Sequence, residues 1–94
     1  MNSMHELTRF LSAASNDPRI SACHISLYLS LYQSWINNLC KDLVPICREE
    51  VMKTAKINAL TTHYKRMKEL GEYGYIRYLP SNNPMSNSKV FISC

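Results

Sequence analysis

Residues 48–70 read REEVMKTAKINALTTHYKRMKEL, and this stretch decides the fold. Apolar residues recur at helical spacing up to about Ala55, which predicts a helix of roughly two turns. The residues Lys-Ile-Asn at 56–58 interrupt this spacing and predict a tight turn. A second helix is then predicted over about 59–70. Its inward stripe consists of Leu60, His63, Met67 and Leu70.

The ends of these two helices carry signals of their own. Cys47 stands at the N-cap of the first helix, where a capping box would have Ser or Thr, and Glu50 is expected to reach back to the cap amide. Gly71 follows the second helix and is expected to end it in the left-handed conformation that glycine adopts easily. Both helices are therefore predicted to be short and sharply bounded.

Two further helices are predicted before this pair. Residues 21–38 are apolar on more than one face and form the strongest predicted helix. Residues 4–12 form a short amphipathic helix, which is marginal in isolation. The sequence Ser-Asn-Asp-Pro at 15–18 predicts a turn between the two helices. The long helix carries an aromatic stripe, interpreted as core packing, that consists of Tyr28, Tyr32 and Trp35.

Extended segments flank the central helix pair. Residues 43–46 predict a short extended piece before it, and the aromatic and β-branched residues at 75–79 predict a strand after it. A polar loop at 80–88 leads to a second strand at 89–92. The two strands are predicted to form a β-hairpin, so the expected fold class is mainly α with a small β-hairpin.

The composition of the 94-residue chain is that of one globular domain. Hydrophobic residues make up 46% and charged residues 19%, and residues 25–39 contain too many polar side chains for a membrane span. The polar start of the chain lacks the pattern of a signal peptide, and the four cysteines have no Cys-x-x-Cys spacing. We therefore expect a cytoplasmic protein with reduced thiols, no membrane partner, no metal and no cofactor.

Catalytic motifs are not recognisable in the sequence. It contains only two glycines and no phosphate-binding loop, and no Ser, His and Asp set or pair of carboxylates has a recognisable context. No small-molecule effector is evident either. The expected activity is therefore binding and not catalysis.

Positive charge is concentrated in the central helix pair. The net charge is +4, and residues 53–68 contain five cations and no acidic residue. A local cationic surface favours an anionic partner such as the DNA backbone. A solvated basic helix with no ligand is the alternative interpretation of the same charges.

The predicted second helix presents a polar and cationic outer face. Its outward residues are Thr61, Thr62, Lys65, Lys68 and Glu69. The two threonines and Lys65 suit contacts with base edges in the major groove of duplex DNA. Asn58 in the preceding turn belongs to the same candidate DNA-binding set. The predicted phosphate contacts are Lys53, Lys56, Arg66 and Lys68.

Two segments, REEVMKTAKIN at 48–58 and MKELGEYGYI at 67–76, resemble the winged-helix transcriptional regulators. The resemblance extends over about residues 25–92, and the whole chain is similar to small winged-helix proteins carried on bacterial mobile elements. It implies a winged helix-turn-helix preceded by a short N-terminal helix, with a recognition helix at about 59–70 and a wing hairpin at about 75–92. The wing contacts with the minor groove or backbone would come from Asn82, Asn83, Asn87 and Lys89.

Three residues depart from the pattern of that family. Lys56 stands where many relatives have Gly, so a left-handed conformation there would cost about 1 kcal/mol. His63 stands where an apolar residue is more usual, and it is interpreted as a half-buried packing residue instead of a pH sensor or ligand. Leu60 becomes exposed if the second helix begins one residue later, which would shift the register of the recognition helix.

The expected organisation is an N-terminal helix and turn at 1–18, followed by a winged-helix DNA-binding domain at 19–94. Leu7, Phe10 and Leu11 form an apolar stripe on the short N-terminal helix, which needs a covering surface. One expectation is a homodimer built on this segment, which would place two recognition helices on a palindromic site. The alternative is packing against the long helix of the same chain.

The leading hypothesis from the sequence is a transcriptional regulator that binds double-stranded DNA. One rival is a winged-helix module for protein–protein assembly, and another is a recombination or replication accessory factor of a mobile element. Salt-dependent binding to random duplex DNA separates the assembly module from the DNA-binding alternatives.

Overall fold

The computed structural model describes residues 4–37, 44–79 and 89–92. Within these residues the predicted coarse fold class is confirmed, because helices dominate and two antiparallel strands form a small hairpin. None of the described helices is both long and apolar enough to cross a bilayer. In chain order the elements are α1 (Met4–Ser15), α2 (Ala22–Asn37), β1 (Val44–Pro45), α3 (Arg48–Ala55), α4 (Leu60–Glu72), β2 (Ile76–Leu79) and β3 (Lys89–Ile92).

The described strands form one antiparallel sheet in which β3 lies between β1 and β2. Val90 of β3 pairs with Tyr78 of β2 on one side and with Val44 of β1 on the other. Side chains alternate between the two faces of a strand, so Ile76 and Val90 are buried while Arg77 is exposed. The extended segment predicted before α3 is thus an edge strand of this sheet, a pairing that the sequence did not indicate.

Helix α2 lies at the centre of the core. It contacts α1, α3, α4 and β3. Tyr28 and Leu31 are fully buried, and Trp35 is only 3% exposed. The aromatic stripe is therefore core packing, as the sequence predicted.

Two serine hydroxyls on α2 join it to α3. Ser26 Oγ donates a hydrogen bond to the carbonyl oxygen of Ala55, and Ser30 Oγ donates to that of Val51 at 3.2 Å. Ala55 is the last residue of α3, where carbonyl groups have no partner within their own helix. The two hydroxyls therefore satisfy polar groups between two apolar surfaces and help to position α3.

Helix α1 packs against its own chain. Phe10 stacks on Tyr28 with ring centroids 3.6 Å apart, and its ring meets Tyr75 edge-on at 5.2 Å. Phe10 and Ala14 belong to the same apolar core as α2. Packing within the chain thus covers the centre of the predicted apolar stripe, while Leu11 remains 42% exposed.

The ends of α3 and α4 differ from the expectations. Cys47 makes no side-chain cap hydrogen bond, so the predicted capping box is wrong at that residue. Helix α4 extends to Glu72, which places Gly71 inside the helix, and Gly74 takes the positive φ of 86° instead. The helix begins at Leu60, which is 48% exposed and not inward. The alternative register of this helix is therefore the one observed.

Lys56 ends α3 in the left-handed conformation that its position between the helices suggested, with φ of 62°. Its N–H donates to the carbonyl of Lys53, and the N–H of Ile57 donates to that of Met52 at 2.9 Å. This is the hydrogen-bond pattern of a Schellman motif, in which glycine is the usual left-handed residue. The side chain of Ile57 in the turn is buried, whereas that of Leu60, which was predicted to be inward, is exposed.

We expect Trp35→Ala to lower the free energy of unfolding by about 3 to 5 kcal/mol, because loss of the buried indole leaves a cavity. Urea denaturation followed by circular dichroism measures the change. Gln33→Ala is the control, since Gln33 is exposed on the same helix and its truncation costs less than about 0.5 kcal/mol. A Trp35→Ala variant as stable as this control would contradict the core assignment.

We expect Lys56→Gly to raise the free energy of unfolding by about 0.5 to 1 kcal/mol, because glycine adopts the left-handed conformation without a steric cost at Cβ. Lys53→Gly is the matched control within α3, where glycine lowers stability by about 1 kcal/mol. Urea denaturation of both variants at the same salt concentration measures whether each substitution raises or lowers the free energy of unfolding. Destabilisation by both substitutions would argue against strain at Lys56.

Candidate nucleic-acid interface

Helix α4 separates buried side chains from charged ones. Its buried residues are His63, Met67 and Leu70. On the opposite face Thr61, Lys65 and Lys68 are exposed, in keeping with the 3.6-residue period of the helix. Neither lysine forms an ion pair with any residue that the structure describes. The outer face of α4 therefore presents two ammonium groups that no described residue pairs.

Three further predicted contacts lie on α3 and in the turn that follows it, and two of them, Lys53 and Lys56, line a groove beside α2. Lys53, Lys56 and Asn58, all predicted contacts, are exposed at the end of α3 and in the turn. Thr62 is half-buried on the flank of α4, so Thr61 is the better placed of the two threonines. The predicted contact residues of this region are thus accessible to a ligand, although Thr62 is only partly exposed. Arg66 is also partly buried, and its contacts differ from those of the lysines.

Arg66 and Glu69 form a pair that the sequence analysis did not predict. Glu69 Oε1 accepts hydrogen bonds from Arg66 Nη1 at 2.5 Å and from His24 Nε2 at 2.8 Å. The Arg66 hydrogen bond is the main cause that lowers the pKa of Glu69. The Glu69 carboxylate was predicted to face outward, but it is held by these two hydrogen bonds. The charge of Arg66 is already compensated within the protein. The signal that could have indicated this pair was its i, i+3 spacing on one helix.

His24 connects this pair to the start of α2. The Ser21 N–H donates to His24 Nδ1 at 2.9 Å, which makes Nδ1 an acceptor and places the ring proton on Nε2, where it is donated to Glu69. The Ser21 hydroxyl in turn accepts from the His24 N–H at 3.4 Å. The two residues thus form a reciprocal N-terminal cap with His in the place of the usual Glu or Gln. Through Glu69 this cap contributes to the orientation of α4.

Arg48 adds a cation that the sequence analysis did not assign to the site. It lies at the first position of α3 and donates from Nη1 to the hydroxyl of Tyr64 at 3.1 Å. This hydrogen bond raises the pKa of Arg48, so the guanidinium is charged at any working pH. Both side chains are exposed, and Tyr64 is 43% accessible beside the outer face of α4.

His63 is more deeply buried than the sequence suggested. The expectation was a half-buried packing residue, whereas its side chain is fully enclosed beneath α4, with its ring edge-on to Tyr64. Its Nδ1 has no hydrogen-bond partner among the described residues. Burial lowers the pKa of His63, and the positive charge of Arg48 lowers it further. The neutral imidazole therefore belongs to the apolar core.

A polar cluster holds the turn that leads from α4 to the sheet. Asp17 accepts hydrogen bonds from the guanidinium of Arg19 at 2.9 Å and from the hydroxyl of Tyr75 at 2.7 Å. These bonds, that of Arg19 above all, hold the pKa of Asp17 far below its usual range. Arg19 also lies over the ring of Tyr73, 4.1 Å from its centroid. The α1–α2 loop is thereby attached to the residues that follow α4.

The hairpin contributes two exposed cations, Arg77 on β2 and Lys89 on β3. Lys89 was a predicted wing contact, and Arg77 was not assigned a role. The predicted wing residues Asn82, Asn83 and Asn87 lie outside the described residues. Residues of α4 and β2, which contact each other, line a groove of about 690 Å³.

Metal-binding groups and similarity to known proteins are two further kinds of evidence, and neither identifies a ligand for this surface. Among the described residues no three His, Cys, Asp or Glu side chains lie close enough together to hold a metal ion. Comparisons of the chain with family models, with curated proteins and with solved structures found no match. The function of this surface is therefore inferred from the geometry and charge of the chain itself.

We expect the stability that His63 contributes to be fully present above about pH 6.5 and to decline as the pH falls below it. The unfolded chain takes up a proton near that pH, whereas burial holds the pKa of the folded state lower. Urea denaturation at pH 7.5 and 5.5 measures the decline, which should be smaller in His63→Met. His5→Gln, at an exposed site on α1, should decline like the unmodified protein. Equal declines in all three proteins would contradict this assignment.

Proposed function

We propose that this chain is a winged helix-turn-helix protein that binds double-stranded DNA, with α4 as the recognition helix in the major groove. The observation that carries the proposal is the outer face of α4, where Lys65 and Lys68 are exposed beside Thr61 and have no ion-pair partner among the described residues. A major groove about 12 Å wide accepts a helix, and its phosphates attract unpaired ammonium groups. The proposed role is that of a cytoplasmic transcriptional regulator.

The order and pairing of the elements support the winged helix-turn-helix assignment. A short turn closed by the left-handed Lys56 joins α3 to α4. The β2–β3 hairpin follows α4 directly, in the position expected for a wing, and β1 pairs with β3. Because α2 packs against α4 and β3, one core positions the helix and the hairpin together.

The proposed DNA contacts fall into three groups, which are contacts with base edges, contacts of the wing and contacts with the DNA backbone. Thr61 and Lys65 are assigned to base edges, because they lie in the N-terminal half of α4 and are exposed. Arg66 is assigned a positioning role, since it holds Glu69 and its charge is already paired. Wing contacts are assigned to Lys89 and, outside the described residues, to Asn82 and Asn83. The proposed backbone contacts are Lys53, Lys56, Asn58, Thr62 and Lys68.

A homodimer remains part of the proposal for a functional reason. Two copies with recognition helices about 34 Å apart would recognise a palindromic site and multiply the specificity of one small domain. Phe10 is buried against Tyr28, so the N-terminal stripe no longer requires a second copy to cover it. Light scattering of the full chain at tens of micromolar measures the mass directly.

A second candidate function is protein–protein assembly through the same face of the domain. Leu60 and Tyr64 favour it, because both are large hydrophobic side chains that remain exposed on α4. Exposed apolar side chains on one surface are typical of partner-binding sites. This candidate differs from the DNA proposal in requiring no affinity for duplex DNA.

We expect Lys65→Ala combined with Lys68→Ala to weaken binding to a random duplex at least about tenfold at 0.1 M salt and to reduce the salt dependence of log K by about 2. The melting temperature should hardly change, because exposed cations contribute little to stability. Fluorescence anisotropy with a labelled duplex and thermal denaturation provide the two measurements.

Two further variants serve as controls for this experiment. Arg9→Ala removes an exposed cation from α1 and should leave DNA affinity within about twofold. Arg66→Ala should lower the melting temperature, because Glu69 loses a hydrogen-bond partner. If the unmodified protein fails to bind duplex DNA at micromolar concentration and low salt, the DNA proposal is wrong and the assembly candidate is favoured.

A further inference from the structure

Helix α2 carries a second apolar stripe, on the side that faces away from the core. Leu27 and Leu31 are fully buried. Leu29 lies two residues from each of them, about 200° around the helix, and is 42% exposed. Apolar residues continue along this side at spacings of four, three and four residues. We term this stripe the α2 seam, and its residues are Ile25, Leu29, Tyr32 and Ile36.

Helices α1 and α3 flank the α2 seam and do not close over it. On one side Phe10 of α1 stacks on Tyr28, whose ring lies beside that of Tyr32 with centroids 6.2 Å apart. On the other side the serine hydroxyls of α2 donate hydrogen bonds to α3. The other members of the seam are half-buried against the edge of the core, whereas Leu29 remains exposed.

The spacing of the α2 seam is that of a coiled-coil contact. Apolar residues at alternating spacings of three and four lie in one line along a helix, and they pack between the side chains of a second helix. Helix α2 has 16 residues and is about 24 Å long. The seam extends over most of this length. It therefore has the shape that fits another helix.

The charge distribution of the chain indicates which helix this is. Residues 22–37 contain no Asp, Glu, Lys or Arg, although the net charge of the chain is +4. Two copies of the chain repel each other where their cationic surfaces meet, but not where both surfaces are uncharged. In a two-fold dimer the same surface meets itself and must be complementary to itself. An uncharged apolar stripe meets this requirement, whereas the cationic outer face of α4 does not.

We propose that the α2 seam is an interface between two copies of this chain, in which the two α2 helices pack antiparallel about a two-fold axis. The antiparallel arrangement sets their helix dipoles in opposite directions. The symmetry of the seam about its centre then pairs Ile25 with Ile36 of the second copy. It likewise pairs Leu29 with Tyr32 of the second copy. This inference rests on the homodimer in the proposed function and moves its contact from α1 to α2.

Dimerisation through the α2 seam leaves the candidate DNA-binding face accessible. Helix α4 contacts α2 and turns its buried residues toward the core, so Lys65 and Lys68 face away from α2. The seam lies on a different side of α2, and its pairing does not cover either lysine. An interface through Leu60 and Tyr64 would differ in this respect, because both lie on the same helix as the lysines.

The test measures mass by light scattering over a range of protein concentrations. Because one helix from each copy forms the contact, we expect a dimer at hundreds of micromolar that dissociates on dilution. Leu29→Glu should weaken dimerisation about tenfold or more, since two carboxylates would meet in an apolar contact. Leu11→Glu is the matched control, because Leu11 on α1 is also 42% exposed, and it should dimerise like the unmodified chain. At dilutions where all three are monomeric, their melting temperatures should be similar.

A mixture of two variants tests the two-fold geometry. Leu29→Lys alone should be monomeric, as Leu29→Glu is, because like charges repel across the axis. In the proposed dimer the two copies of position 29 lie near each other, so an equal mixture of Leu29→Glu and Leu29→Lys should recover dimers. A contact between Leu29 and some other surface of the second copy would not produce this recovery.

The outcomes separate this inference from the proposed function. If Leu29→Glu dimerises as tightly as Leu11→Glu, the interface lies elsewhere and the inference is wrong, while the homodimer stands. A mixture that stays monomeric would contradict the two-fold contact. If the unmodified chain is monomeric at hundreds of micromolar, the homodimer fails and the inference fails with it. None of these measurements contains DNA, so none of them changes the assignment of DNA binding.

Discussion

The burial of α2 on several sides is the constraint on which the rest of the structure depends. Its Tyr28 and Leu31 are fully enclosed, and α1, α3, α4 and β3 all contact it. A chain of this size has room for one hydrophobic core, so each surrounding element is placed by the part of α2 that it covers. Helix α4 covers α2 with its apolar side, which leaves its cationic side in solvent. The candidate DNA-binding face is thus a consequence of how the core is filled.

The apolar stripe of α4 sets which side of the helix faces the core. Hydrogen bonds, which are directional, fix its orientation more closely. Glu69 accepts from both Arg66 and His24, and His24 is itself held by the cap at Ser21. The same carboxylate that orients α4 also neutralises Arg66. The close orientation of the helix and the pairing of Arg66 therefore depend on one group of contacts.

Much of the fold was predictable from spacing, and the errors have local physical causes. The positions of all four described helices follow from their apolar period, yet Leu60 was placed inward because a period does not define where a helix begins. Gly71 was expected to end α4, but a glycine inside a helix is tolerated when packing continues beyond it. In the site, the exposed Lys65 and Lys68 were predicted, since charged residues opposite an apolar stripe face solvent.

The sequence by itself determined where helices and strands form and where positive charge is concentrated, because both depend on residues a few positions apart. Only the tertiary structure decided that His24 binds Glu69, 45 positions away, and that β1 joins the hairpin. It also decided that Arg77 and Lys68 border one groove. The reason is that such contacts join residues with no common local period, and they form only after the core around α2 has brought distant elements together.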